Sequence, residues 1–153
     1  MTLITTLEPV APKDRASFMA MAEQHFCELN SAFVPHPDWE SGYFETIRAN
    51  SNMFLCWIML GERRAGFVLY GLEPHRFLPR RSGLVYELYV APEFRRRGVA
   101  RQCALLVIHE MQAKSPSKIQ LEVVEGNSGA EALWKSLGFE KASSRYILAK
   151  LRE

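Results

Sequence analysis

The chain is poor in the features that place a protein quickly. Its three cysteines, Cys27, Cys56 and Cys103, show no CxxC spacing and no framework. That excludes a disulfide-stapled secreted scaffold and a zinc ribbon, and their apolar neighbours read as buried free thiols in a reducing compartment. His25, His36, His75 and His109 are scattered, with no i, i+4 pair beside a carboxylate, so no metal is expected. No uncharged apolar stretch reaches the ~18 residues of a membrane span. The opening Met1-Thr2-Leu3-Ile4-Thr5-Thr6-Leu7 lacks a basic region followed by a long apolar one, so no secretion signal is read and a cytoplasmic protein without a membrane partner is expected. A net charge of +2 is too small to argue for nucleic acid as a partner. With no repeat, low-complexity tract or linker in view, residues 1–153 are expected to form one domain.

What is present is a hydrophobic fraction of 48% in 153 residues, enough for a core that buries roughly two-thirds of the unfolded surface. Residues 2–8 read as a β-branched strand stopped by Pro9 and Pro12. Phe18, Met21, Ala22, Phe26 and Leu29 fall at helical spacing within 15–29, and a second helix fits 38–49 beyond Pro35 and Pro37. The apolar runs 53–60 and 65–72 around Gly61-Glu62-Arg63-Arg64 predict a hairpin. A strand ending near Val90, a helix over 99–113, a strand over 119–124, a helix after Asn127, and closing strands at Phe139 and over 144–151 complete the order.

The most informative run is 85–101, where Val85-Tyr86-Glu87-Leu88-Tyr89-Val90 passes through a short turn into a helix that begins Arg95-Arg96-Arg97-Gly98-Val99-Ala100-Arg101. A helix start offers up to four backbone N–H groups without intrahelical partners, and its dipole adds roughly half a positive charge. Gly98 has no Cβ to keep an anion from the main chain, Ala100 is small, and the arginines add charge. Arg76, Arg80, Arg81, Arg95, Arg96, Arg97 and Arg101 concentrate the positive charge in this part of the chain, as a solubilising surface or as an anion site.

Arg95-x-x-Gly98-x-Ala100 resembles the acyl-CoA-binding signature of the GNAT N-acetyltransferase superfamily. Residues 127–139, with Asn127, Ala130, Gly138 and Phe139 in register, resemble the family's second signature. Together the motifs cover about residues 45–150. The resemblance implies an α/β (α+β) fold, a mixed and mostly antiparallel sheet flanked by helices. It also implies acetyl-CoA as acyl donor, its pantetheine arm entering where two strands splay and pairing with backbone at Leu88, Tyr89 and Val90. Arg95, Arg96, Arg97, Gly98, Val99, Ala100 and Arg101 would hold the pyrophosphate, with Asn127, Ala130 and Trp134 on the cofactor side.

The implied reaction is transfer of an acetyl group to a primary amine of a small molecule or peptide, which needs a base. Glu87 is the first candidate, a charge inside an apolar strand that either faces a cleft or pairs with an arginine or solvent. Glu122, on the neighbouring strand, is the second, with solvent exposure equally open. Strict alternation puts Glu87 and Tyr89 on one face and Tyr86, Leu88 and Val90 on the other. Trp134 stands where many members carry a tyrosine thought to protonate the departing thiolate, and an indole N–H does not ionise usefully. Tyr146 and Tyr89 are substitutes for that acid, and Trp134 also motivates the rival reading, a non-catalytic acyl-CoA sensor. His36 and His75 in loops, and Phe33, Trp39 and Tyr43, border the expected acceptor region, with surface position or core packing as the plainer roles. Many relatives dimerise, and the apolar strands near both termini permit a homodimer.

Overall fold

A computed structural model of the protein describes residues 2–150. Its regular elements are β1 (Thr5–Pro9), α1 (Arg15–Leu29), α2 (Trp39–Ala49), β2 (Met53–Leu60), β3 (Arg63–Pro74), β4 (Arg81–Val90), α3 (Val99–Gln112), β5 (Ile119–Leu121) and α4 (Ser128–Ser136). They fall into two units, Met1–Glu122 and Val123–Glu153.

In the first unit five strands form one sheet in chain order, antiparallel from β1 to β4 and parallel between β4 and β5. The parallel step needs a crossover, and α3 supplies it. Gly61 (φ +61°) opens the two-residue loop of the β2–β3 hairpin in a conformation that favours glycine, and Leu60 pairs with Arg63 across it. No helix among the described residues is long and apolar enough to cross a membrane.

The two faces of the sheet are covered by different chemistry. Against one lies α3, which buries Cys103, Val107 and Met111. Tyr70 marks this face, since its phenol is pushed up to about 12 by burial and then by Cys56, Glu110 and Cys103. Against the other lie α1 and α2, and the packing is aromatic. Phe18 is wholly buried, with its ring edge-on to Phe67 at 5.0 Å and 5.7 Å from Phe44. The buried line of α1 is Phe18, Met19, Ala22 and His25. It differs from the expected stripe in that Met19 and His25 are buried, while Met21, Phe26 and Leu29 are only half-buried.

In the second unit, Asn127 Oδ1 accepts a hydrogen bond from the Ala130 N–H (3.2 Å), capping α4, and Gly138 (φ +96°) follows its C-terminus. The predicted closing strands do not form: residues 139–148 carry no regular structure, and the end of the second, Leu151, lies outside the described residues. An alternating apolar pattern supplies only half of a strand, since its backbone groups must also find a partner edge. Likewise β5 ends at Leu121 instead of Val124, because its ladder with β4 stops there.

Of the cysteines, Cys56 and Cys103 are buried as anticipated, whereas Cys27 is exposed, on the outer side of α1. Burial, and then Glu110, raises the Cys56 thiol to about 11, and burial, and then Cys56, raises Cys103 further. Because the thiolate is the nucleophile, iodoacetamide at pH 8 should modify Cys27 alone in the native protein and all three after denaturation, as counted by intact mass. Phe18→Ala should cost about 3–5 kcal/mol in urea unfolding, since a fully buried ring leaves a cavity among other rings.

Candidate active site

Strand β4 leaves the sheet at Val90 and reaches α3 through a single 3₁₀ turn, Pro92–Phe94, anchored by buried Phe94 under the Arg63 guanidinium (4.5 Å to the ring centroid). Gly98 is the cap of α3 at φ +75°, and Arg96 also sits at positive φ (+63°). A Cβ on Gly98 would meet nothing within 4 Å, so the requirement for glycine there is conformational and the space above the turn is open. The first intrahelical bond runs from Gln102 N–H to Gly98 O (3.0 Å), which leaves the Val99 and Ala100 amides ahead of the helical ladder. Arg96, Arg97 and Arg101 are exposed around this start, where their charge adds to the helix dipole.

Arg95 is turned the other way. Its Nε donates to Val90 O (2.8 Å), its Nη2 donates to both carboxylate oxygens of Glu28 on α1 (2.9 Å each), and its guanidinium lies 5.6 Å from the Tyr89 ring. The first residue of the signature therefore ties the turn to α1 and to the end of β4.

The course of β4 explains the opening beside that turn. Leu69 pairs with Glu87 but Tyr70 pairs with Val85, so Tyr86 is an extra residue, a β-bulge. Val85 then shares the α3 face with Tyr70, while Glu87, two residues on, turns to the α1 face with Leu69. The expected alternation holds from Glu87 to Val90 and breaks at Tyr86. The parallel ladder with β5 runs only from Gly83↔Ile119 to Val85↔Leu121 and stops at the same bulge. Beyond it, the Ala91 N–H donates to Ala65 O beside β3 (2.8 Å), so Tyr89 also faces β3, and Leu88 and Val90 turn their N–H and C=O groups to the opposite edge. Among the described residues no strand pairs with that edge; Arg95 takes the Val90 carbonyl.

On the α1 face, Glu87 Oε2 lies 2.5 Å from His25 Nε2. Glu87 is partly exposed, at 23% of its side chain, whereas His25 is buried, at 9%. The imidazole is fixed by rings, edge-on to Phe67 at 5.7 Å and tilted on Tyr89 at 5.3 Å and on Phe26 at 5.1 Å. Tyr43, on α2, carries the one buried side-chain polar atom without a hydrogen-bond partner among the described residues, its hydroxyl. Burial, and then the charge of Glu87, pushes that phenol well above its ordinary range, so it stays protonated and a donor. Trp39 stacks on Tyr43 at 5.9 Å and meets Phe33 at 5.4 Å, extending an aromatic wall beside the carboxylate.

Other sequence candidates lie elsewhere. Glu122 is exposed, one residue past β5. Trp134 sits on α4 in the second unit, edge-on to Phe139 at 5.3 Å, in the same short helix as Asn127's cap and Ala130. His36 is exposed and takes the Asp38 N–H on Nδ1, and His75 Nδ1 accepts the Phe77 and Leu78 N–H groups, so both serve their own turns. Tyr146 is 93% exposed. His25 is the residue that sequence reasoning passed over; its one signal was its position three after Ala22 and seven after Phe18 on the buried stripe. Among the described residues no cluster of three or more His, Cys, Asp or Glu is arranged to hold a metal.

Helix-start amides, an open strand edge and a carboxylate thus lie along the end of β4 and the turn that follows it. In comparison with known proteins, the model of the Acetyltransferase (GNAT) family matches residues 18–139, and the chain belongs to this family. The family generally uses acetyl-CoA as acyl donor. A [Ribosomal protein bS18]-alanine N-acetyltransferase of Salmonella typhimurium is 36% identical over 61 residues, 40% of this chain and 41% of that protein, so the chain spans about two-fifths of the length of the curated relatives it matches. Solved structures share the fold, among them two named as acetyltransferases. A ribosomal-protein-alanine N-acetyltransferase from Brucella melitensis biovar Abortus 2308 has TM-score 0.73 at 16% identity, covering 96% of this chain and 100% of that one. An aminoglycoside acetyltransferase from an uncultured soil metagenomic sample has TM-score 0.71 at 14% identity, covering 95% and 97%.

The Arg95–Glu28 pair is over two-fifths exposed on each side, so water screens it. A double-mutant cycle on these two residues should return a coupling of about 1 kcal/mol or less in chemical denaturation.

Proposed function

We propose that the protein is an N-acetyltransferase that moves an acetyl group from acetyl-CoA directly to a primary amine of a small molecule or peptide. The observation that carries this reading is the unpaired edge of β4 at Leu88 and Val90, running into the α3 start with Glu87 beside it on the α1 face. The pyrophosphate would lie on the amides at Gly98, Val99 and Ala100, with Arg96, Arg97 and Arg101 as surrounding charge. The pantetheine amides would pair with Leu88 and Val90 as an added strand does.

In this reading Glu87 takes a proton from the acceptor's ammonium, and the free amine attacks the thioester carbonyl. The tetrahedral adduct collapses as the C–S bond breaks and the amide C–N bond remains. The nitrogen's second proton leaves with the CoA thiol or through solvent. Trp134 holds its N–H too tightly to be the acid, so the thiolate departs unassisted or is protonated by water. The relatives named for ribosomal-protein alanine and the structural neighbour named for aminoglycosides support an amine acceptor as a class.

Trp134 favours a second reading, a GNAT-fold module that binds acyl-CoA without turning it over. A mass-spectrometric screen with acetyl-CoA against amines, antibiotics and alanine-initiated peptides separates the two. An acetylated product establishes the enzyme, whereas cofactor binding with no product supports the module. Gly98→Glu places a side chain at φ +75° and a negative charge on the anion site. It should abolish acetyl-CoA binding by calorimetry while lowering stability by only about 1–2 kcal/mol; intact affinity would refute this placement. Glu87→Gln should lower kcat by about 10²-fold or more, with acetyl-CoA affinity retained.

A further inference from the structure

The reading of Glu87 as the base leaves open what holds its carboxylate in place. Glu87 stands on a strand whose two neighbours along the chain differ in role: the bulge residue Tyr86 precedes it, and the open edge at Leu88 follows. A partly exposed glutamate on such a strand has three rotatable bonds and no arginine or lysine partner among the described residues. Among the described residues its carboxylate makes one hydrogen bond, to His25. A carboxylate only accepts, so Nε2 carries the hydrogen and donates to Oε2. The imidazole cannot swing away, because Phe26, Phe67 and Tyr89 surround it and the helix backbone of α1 carries it.

We propose that His25 is a positioning residue for the acetyl-transfer reaction, clamping Glu87 through Oε2 so that Oε1 is presented to the acceptor amine. This rests on the reading of Glu87 as the base. The same helix face carries Glu28, one turn further on, which holds Arg95 of the cofactor turn. One rigid helix therefore sets the base and the end of the anion-binding turn against a common frame. Misplacement of a reacting group by about 1 Å is enough to cost about 10² in rate, and a glutamate released from its clamp samples more than that. The unpartnered Tyr43 hydroxyl, within electrostatic reach of Glu87, is the other polar group on this wall.

The bond itself is read without an acceptor. In ¹⁵N-histidine-labelled protein, His25 should show a protonated Nε2 whose resonance moves in Glu87→Gln; an unmoved resonance overturns the clamp. Its role is read from steady-state kinetics with acetyl-CoA and the acceptor found by the amine screen. His25→Ala should lower kcat by about 10–10² with KM for acetyl-CoA unchanged. His25→Gln, whose amide N–H reaches close to the Nε2 position, should recover most of the loss. Equal losses in both variants, or a rise in KM for acetyl-CoA with kcat intact, would make His25 a packing residue only. If Glu87→Gln itself leaves kcat unchanged, the base assignment fails; if Glu87→Gln is crippled and His25→Ala is not, this inference alone fails.

Discussion

The bulge at Tyr86 is the constraint on which the rest of the site depends. In an unbroken strand Val85 and Glu87 would share a face, and one of them would be misplaced: a carboxylate in the α3 core, or a valine in the polar site. The extra residue sends Val85 to the Tyr70 side and Glu87 to the α1 side. It also bends β4 away from its parallel neighbour, so the ladder with β5 ends at Val85↔Leu121 and the edge at Leu88 and Val90 is left for something other than a strand of the first unit. One inserted residue thus separates core from site and opens the sheet.

Helix α1 then joins these parts. Its buried line is apolar at Phe18 and Ala22 and polar at His25, and exposed Glu28 follows one turn on, so it packs on the sheet at one end and reaches β4 and the turn at the other. Aromatic rings do the fixing, because Phe18, Phe67 and Tyr89 are stiff groups with few rotatable bonds. Arg95, the leading residue of the cofactor signature, is engaged by this helix through Glu28 and by the Val90 carbonyl, and the exposed charge at the α3 start is left to Arg96, Arg97 and Arg101.

Much of the fold was legible because its elements are locally specified. The hairpin at Gly61, both helices before it, the helix after Gly98 and the cap at Asn127 each follow from periodicity and punctuation that neighbouring residues carry. The turn into α3 was legible for the same reason, as a glycine at a strand-to-helix junction. The closing strands and the last part of β5 were not, since a strand exists only where an edge receives it. Alternation through Tyr86 failed because a bulge depends on what the facing strand requires, here the buried Tyr70 and Val85, and leaves no mark in a single strand's sequence.

The sequence by itself determined the order of elements from β1 to α4, the glycine turn that starts α3 and the family signature, all of which rest on contacts within a few residues. Only the tertiary structure decided which side chains meet Glu87. His25 is 62 residues away, Tyr43 lies on another helix, and Glu28 and Arg95 meet across 67 residues. No spacing rule connects them, since their juxtaposition is set by the way α1 packs on the sheet and by the one extra residue in β4.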